Sequence, residues 1–313
     1  MIDRFPAFRQ MFGAKPERLA CTIASAILTL SLWVRPTLAK DPFRSTNQHQ
    51  IGDKTEAAFK AIFKDGNYTA AKSYLQQAES SEPKEPLVYA MDASLVYANK
   101  EVNSLSSYSK KTLEAAQQLM ATDPLRGNIY VAVGHFLQGA TVIAREGTLK
   151  GTPQALTEIR QVYEYLDKAE AISSTDPELN LVRGYMDLVL AVSMPFSSPE
   201  QAIERLEKYA SPRYLADRGL AIGYRDLDQY PKALESVDRA LKATPGNPEL
   251  FYLKAQILVK QGESQKNPAL FREALKNFDE AIKPEKKAQL PAGLVTQIER
   301  ERRRDAKRLG NPS

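Results

Sequence analysis

One cysteine, one tryptophan and two histidines are all that the 313 residues hold of these three types, and each scarcity removes a class of chemistry. Cys21 and Trp33 both lie within the first 39 positions. Beyond them the chain has no thiol, so it builds no disulfide framework and carries no cysteine nucleophile. His49, in "STNQHQ", and His135, in "AVGHFLQGA", are too few to complete the four-ligand shell of a structural zinc ion. No GxSxG elbow, Walker loop or GxGxxG after a strand occurs. The sequence therefore offers no catalytic, metal or cofactor-binding residue, and no cofactor is expected. His49 reads as part of a solvated leader and His135 as a structural histidine satisfied on a helix.

Long apolar runs are also scarce, and the one present is informative. Arg4, Arg9, Lys15 and Arg18 precede "LACTIASAILTLSLWV", Leu19 to Val34, and "RPTLAKD" follows. A basic head, an apolar middle and a small-residue end, with Thr37 and Ala39 at minus three and minus one, read as a secretory signal peptide, residues 1–39. The run is slightly short of the roughly 20 residues that span a bilayer comfortably, and an uncleaved membrane anchor is the rival reading. Cys21 sits too early in the run for lipidation. Five of the 43 Lys and Arg residues and two of the 38 Asp and Glu residues belong to this segment. The remainder carries a net charge of about +2 rather than +5, which argues against nucleic acid as the partner.

What is abundant is a ruler. In "AAFKAIFKDGNYTAAKSYLQQAESSEP" the gaps from Tyr68 to Ala71, Leu75, Ala78 and Pro83 are 3, 7, 10 and 15. In "GLAIGYRDLDQYPKALESVDRALKATP" the gaps from Tyr230 to Ala233, Val237, Ala240 and Pro245 are again 3, 7, 10 and 15. Three- and four-residue steps place these side chains on one helical face, and the proline stops the helix. A third copy runs through Phe251, Ala255 and Leu258, then Phe271, Ala274, Phe278 and Ala281.

These marks resemble the tetratricopeptide repeat, closely over 214–247 and 52–85, fairly over 248–283 and more loosely between. The resemblance implies an all-α, right-handed superhelical array of about six helical hairpins over residues 52–283, after a flexible leader, residues 40–51. Residues 284–313 read as a capping helix and tail, with Leu294, Val295 and Ile298 on one face and Arg300, Arg302, Arg303, Arg304, Lys307 and Arg308 outside. With its export signal, the chain resembles exported cyanobacterial repeat proteins of poorly defined role, which implies a periplasm or, alternatively, a thylakoid lumen.

The same resemblance places first helices on a concave face that holds a protein or peptide segment. There it implies Arg218 and Arg225 beside Tyr252, Gln256 and Lys260, with Tyr185 and Tyr97 further along, a groove suited to an acidic or aromatic-bearing segment. Ile222 stands where the family's carboxylate-binding arrangement wants an asparagine, which disfavours chaperone tails. The basic last helix, or an uncleaved signal, would supply any membrane contact; oligomeric state is left open. The rival function is an exported all-helical glycan-acting enzyme, for which Asp187 in "RGYMDLVLAV" is the lone candidate acid. Arg183, four residues earlier, is its expected ion-pair partner. Elsewhere acids alternate with bases, as in "AIERLEKYA", the pattern of solvated faces.

If the ruler encodes helix packing, Ala233→Arg should destabilise the array by several kcal/mol through overpacking and a buried charge. An unchanged circular dichroism melt would refute the repeat assignment.

Overall fold

The computed structural model describes residues 41–99, 101–193 and 199–310. The basic head, the apolar run, Cys21, Trp33 and the cleavage point after Ala39 lie outside the described residues. Among those described there are thirteen helices and no strand. Six hairpins follow one another. They are α1 (Asp53–Phe59, continued by a π-helical turn, Lys60–Lys64) with α2 (Tyr68–Ser81), α3 (Pro86–Ala98) with α4 (Val102–Leu119), and the two halves of α5 (Pro124–Ile172). Then come α6 (Pro177–Ser193) with α7 (Pro199–Lys208), α8 (Arg213–Asp226) with α9 (Tyr230–Ala243), and α10 (Pro248–Gln265) with α11 (Pro268–Ala281). A single turn, α12 (Pro284–Lys287), leads to the last helix, α13 (Ala292–Arg308).

Local chemistry starts these helices in one repeated way. A proline at the first helical turn, whose missing N–H costs nothing there, follows a side chain that accepts a backbone N–H: Glu85 from Leu87, Asp123 from Arg126, Asn247 from Glu249 and Asn267 from Ala269. The "TDP" segments at 122–124 and 175–177 thus open the following helix as well as closing the one before. Within α5 the chain reverses at Gly147, whose φ of 76° is open to glycine at no steric cost.

The alanine ruler is the core. Ala71, Ala78, Ala233, Ala240, Ala274 and Ala281 are all completely buried, as are Leu75, Val237 and Phe278 between them. Alanine lets neighbouring helices approach, while each intervening Leu or Phe contributes about 1.5–3 kcal/mol by burial.

Three expectations need correction. Residues 41–51 do not form a solvated leader: Phe43 packs edge-on against Phe59, with centroids 5.0 Å apart, and Arg44 is buried in a cluster of charges. Arg44 pairs with Asp41 at 2.9 Å, Asp176 at 2.7 Å and Glu178 at 2.9 Å. Arg126, buried beside it, pairs with Glu85 at 2.8 Å and Glu178 at 3.2 Å. Burial would lower both guanidinium pKa values, but the facing carboxylates outweigh it and hold them above the ordinary range. Residues 41–51 thus form a strap that charge fastens to the start of α6, through Asp176 and Glu178, and to the start of α5, through Asp123. Nor is His49 solvated, since its Nδ1 meets Asp123. Burial favours a raised Asp123 pKa, yet the bonds from His49 and the Arg126 backbone lower it.

Asp187 also finds a different partner. Tyr163 donates its hydroxyl to it at 2.7 Å, while Arg183 turns to Asp167 and Glu170. Burial pushes the Asp187 carboxyl up. His135 is satisfied by Glu158 at 2.8 Å and stacks on Tyr165.

The array also closes on itself. The π-helical turn before α2 leaves the Phe63 and Lys64 carbonyls free, and Asn247 Nδ2 donates to them at 3.2 and 3.3 Å. Tyr68 donates its hydroxyl to Glu249 at 2.8 Å, and its backbone N–H donates to Gln289 at 3.0 Å. The turn of the first hairpin is thereby joined to the start of the sixth. Gly66, at φ 65°, lies so close to Pro248 that a Cβ would stand 2.5 Å from its Cδ. Gly66→Ala should therefore cost at least about 1–2 kcal/mol in urea unfolding, from the left-handed backbone alone. Gly246→Ala, where a Cβ meets nothing within 4 Å, serves as the near-neutral control.

Candidate functional site

Contacts between neighbouring hairpins separate Arg218 and Tyr185 from the other anticipated groove residues. Arg218, on α8, is paired across to Glu249 of α10 at 2.7 Å, and the same carboxylate takes the Tyr68 hydroxyl. Burial works to lower the Arg218 pKa, and Glu249 more than reverses it. Burial, with Glu249 adding to it, likewise raises the Tyr68 phenol. Tyr185 donates to the Leu215 carbonyl at 2.8 Å, and burial pushes its phenol up to about 12. Arg218 and Tyr185 are thus fastened inside the array, and neither is a free groove residue.

The second group stays together at an open cleft. Arg225, at the end of α8, donates to Gln256 of α10 at 3.1 Å and grips Asp226 at 2.8 Å. Lys260, one turn beyond Gln256, is half exposed, with its Nζ 3.7 Å from Asp226. The far wall comes from α13. Glu301 accepts from the Tyr252 hydroxyl at 2.8 Å and from Gln256 at 3.1 Å. Tyr252 is consequently buried, and its phenol is raised by burial and by that bond. The cleft encloses about 390 Å³, and its lining includes Arg225, Gln256, Lys260, Glu301 and Arg304. Tyr97 lies elsewhere, at the end of α3, with 59% of its surface exposed.

The last helix seals the array as a cap. Ile298 is fully buried and Val295 nearly so, against a core that includes Phe278. Its arginines are largely engaged: Arg302 with Asp279, Arg308 with Glu263, and Arg304 with Asp305 at 3.5 Å. Asp305 is itself fully buried with no hydrogen bond to either oxygen, and burial raises its pKa. Among the described residues no helix is long and apolar enough to cross a membrane, and no three His, Asp or Glu side chains gather as metal ligands.

Sequence reasoning missed Glu249 and Glu301, the carboxylates that decide which groove residues are free. Glu249 carries the only local signal, an acid in the first turn of a helix after "NP", which reads as dipole compensation and gives no hint of a partner 31 residues away.

Hairpins of this kind, with fully buried alanines and each first helix set against the next, define an all-α helical-repeat protein. Residues 218–282 match the family model described as tetratricopeptide repeat, TPR_16, so the chain carries repeats of the tetratricopeptide type. A human structure described as an IFIT1 dimer with PPP-AAAA superposes with a TM-score of 0.46 and 16% identity. The match covers 82% of this chain and 59% of that one. No curated protein matches the chain.

Proposed function

We propose that this protein is an exported, non-enzymatic interaction scaffold that holds a protein or peptide segment at the cleft between α8, α10 and α13. The tetratricopeptide-type repeats support the general role, since such arrays present surfaces rather than reacting groups. The observation that carries the choice of cleft is the alignment of Arg225, Gln256 and Lys260 from consecutive first helices along one open wall. Arg225 and Lys260 share the single carboxylate of Asp226, which leaves this wall one positive charge in excess beside a neutral amide and suits a segment bearing a carboxylate near an aromatic or apolar side chain.

The N-terminal pattern supports export through the general secretory route to a periplasm, or alternatively a thylakoid lumen, with an uncleaved anchor as the other topology. Envelope or membrane-complex assembly, in the manner of the exported cyanobacterial proteins it resembles, is the proposed setting. Protein rather than nucleic acid is the proposed partner, because the charge beyond position 39 is nearly balanced.

The paired substitution Arg225→Glu with Lys260→Glu reverses the charge of that wall while leaving the buried Arg218–Glu249 pair intact. In quantitative capture from periplasmic extract it should reduce the principal retained protein about tenfold or more, a loss of at least about 1.4 kcal/mol. An identical captured set from both proteins would discard the cleft. For export, fractionation with N-terminal sequencing should find a mature chain starting at Lys40, whereas cytoplasmic chains beginning at Met1 would remove that half of the proposal.

A further inference from the structure

A second cavity, of about 410 Å³, opens between α2, α3 and α4 and is closed on one side by residues 289–291. It shares no lining residue with the α8–α10–α13 cleft, and nothing in the scaffold reading uses it. Its walls bring together Glu79 from α2, Asp92 from α3, Tyr108 from α4 and Glu101 at the N-cap of α4, with Leu95, Leu290 and Pro291 supplying apolar surface. The geometry at Asp92 is unusual. This carboxyl is 8% exposed, and its Oδ2 meets no donor. Buried carboxylate oxygens without a donor are costly, and the group beside this one is another acid. Glu79 already accepts one donor on each oxygen, the Tyr108 hydroxyl at 3.0 Å and Lys111 Nζ at 2.9 Å, and each oxygen keeps a second acceptor site. Two adjacent carboxyls, one of them with an oxygen that no donor reaches, hold either a shared proton or a cation.

We propose that this cavity is a binding site for a primary alkylammonium group, received by Asp92 and Glu79, with the hydrocarbon stem laid along Leu95 and Pro291. The ammonium takes the place of the proton: as it enters, Asp92 gives up its proton to water and the orphaned oxygen gains a donor. The titration of Asp92 agrees with this exchange. Burial first, and then the Glu79 charge, push it up to about 7, with Lys111 and Lys72 acting the other way. The groups that face it are Lys72 and Glu79 from α2, Glu101 at the N-cap of α4 and Tyr108 and Lys111 within it, with Tyr89 on its own helix; residues 289–291 bring no charge. When Asp92 is ionised the three acids outnumber the two lysines, which leaves room for one cation. The same chemistry is carried by a free polyamine and by a lysine side chain of another protein.

The sign follows from linkage. A ligand that favours the ionised carboxyl binds more tightly as pH rises through the carboxyl's pKa and expels a proton on binding. Titration calorimetry on the full chain, with 1,4-diaminobutane in one series and Nα-acetyl-lysine amide in another, should give binding about tenfold tighter at pH 8 than at pH 6. The observed heat should vary with the ionisation enthalpy of the buffer, reporting proton release near neutral pH. Binding of either amine in this manner upholds the site, and which of the two binds identifies the source. Asp92→Asn and Glu79→Gln, each checked for an unaltered circular dichroism spectrum, should weaken binding about tenfold or more. Absence of binding by both amines at pH 8, or equal binding to Asp92→Asn, would overturn the proposal. Neither result bears on the Arg225–Lys260 cleft.

Discussion

Asn247 holds the array shut. Its side-chain oxygen caps α10 by accepting the Glu249 N–H at 2.9 Å, and its side-chain nitrogen reaches carbonyls of the first hairpin. One short side chain thus joins the start of a helix to a turn more than 180 residues earlier. An open repeat array is approximately a sum of nearest-neighbour interfaces. Here the ends are also neighbours, so the first and sixth hairpins cannot fray independently of each other. The Tyr68–Glu249 bond crosses that seam, whereas the Arg218–Glu249 and Tyr185–Leu215 contacts that seal part of the anticipated groove join neighbouring hairpins.

Charge is used here as a fastener between helices. Arg44 ties the strap of residues 41–51 to α6 through Glu178, Arg126 shares that carboxylate and joins α5 to α6 and to the start of α3, and Arg218 ties α8 to α10. Removing one member of such a buried set leaves the others unpaired, which costs far more than losing an exposed pair. The exposed pairs on α7, such as Lys208 with Glu204, belong to the weaker kind. What distinguishes the Asp92 cavity is that its charges are not all matched.

The sequence was informative where the physics is local. The ruler positions Ala233, Val237 and Ala240, their counterparts Ala71, Leu75 and Ala78, and the six hairpins could be read because helix periodicity repeats every few residues. The helix starts at "TDP" were legible only in part, because one aspartate both follows one helix and caps the next. Closure, the docking of the strap and the Tyr163–Asp187 bond were not legible. Each joins residues far apart in the chain, and nothing in the spacing of Asn247 or Arg44 announces its partner. For the same reason Arg218 and Arg225, equivalent on the ruler, part company in the fold. The first meets a carboxylate beneath the returning end of the array, whereas the second emerges at the rim.

The π-helical turn at Lys60–Lys64 is a single small irregularity, yet it supplies the carbonyls that Asn247 clasps. Open solenoids change length by gaining or losing whole repeats, because any repeat can follow any other. A solenoid whose first turn must meet the start of its sixth hairpin has no such freedom, since one repeat more or fewer would carry the clasp past its target. In this chain the seam ties the number of repeats to the geometry of closure, and loop lengths and the faces that point away from the seam are what it leaves unconstrained.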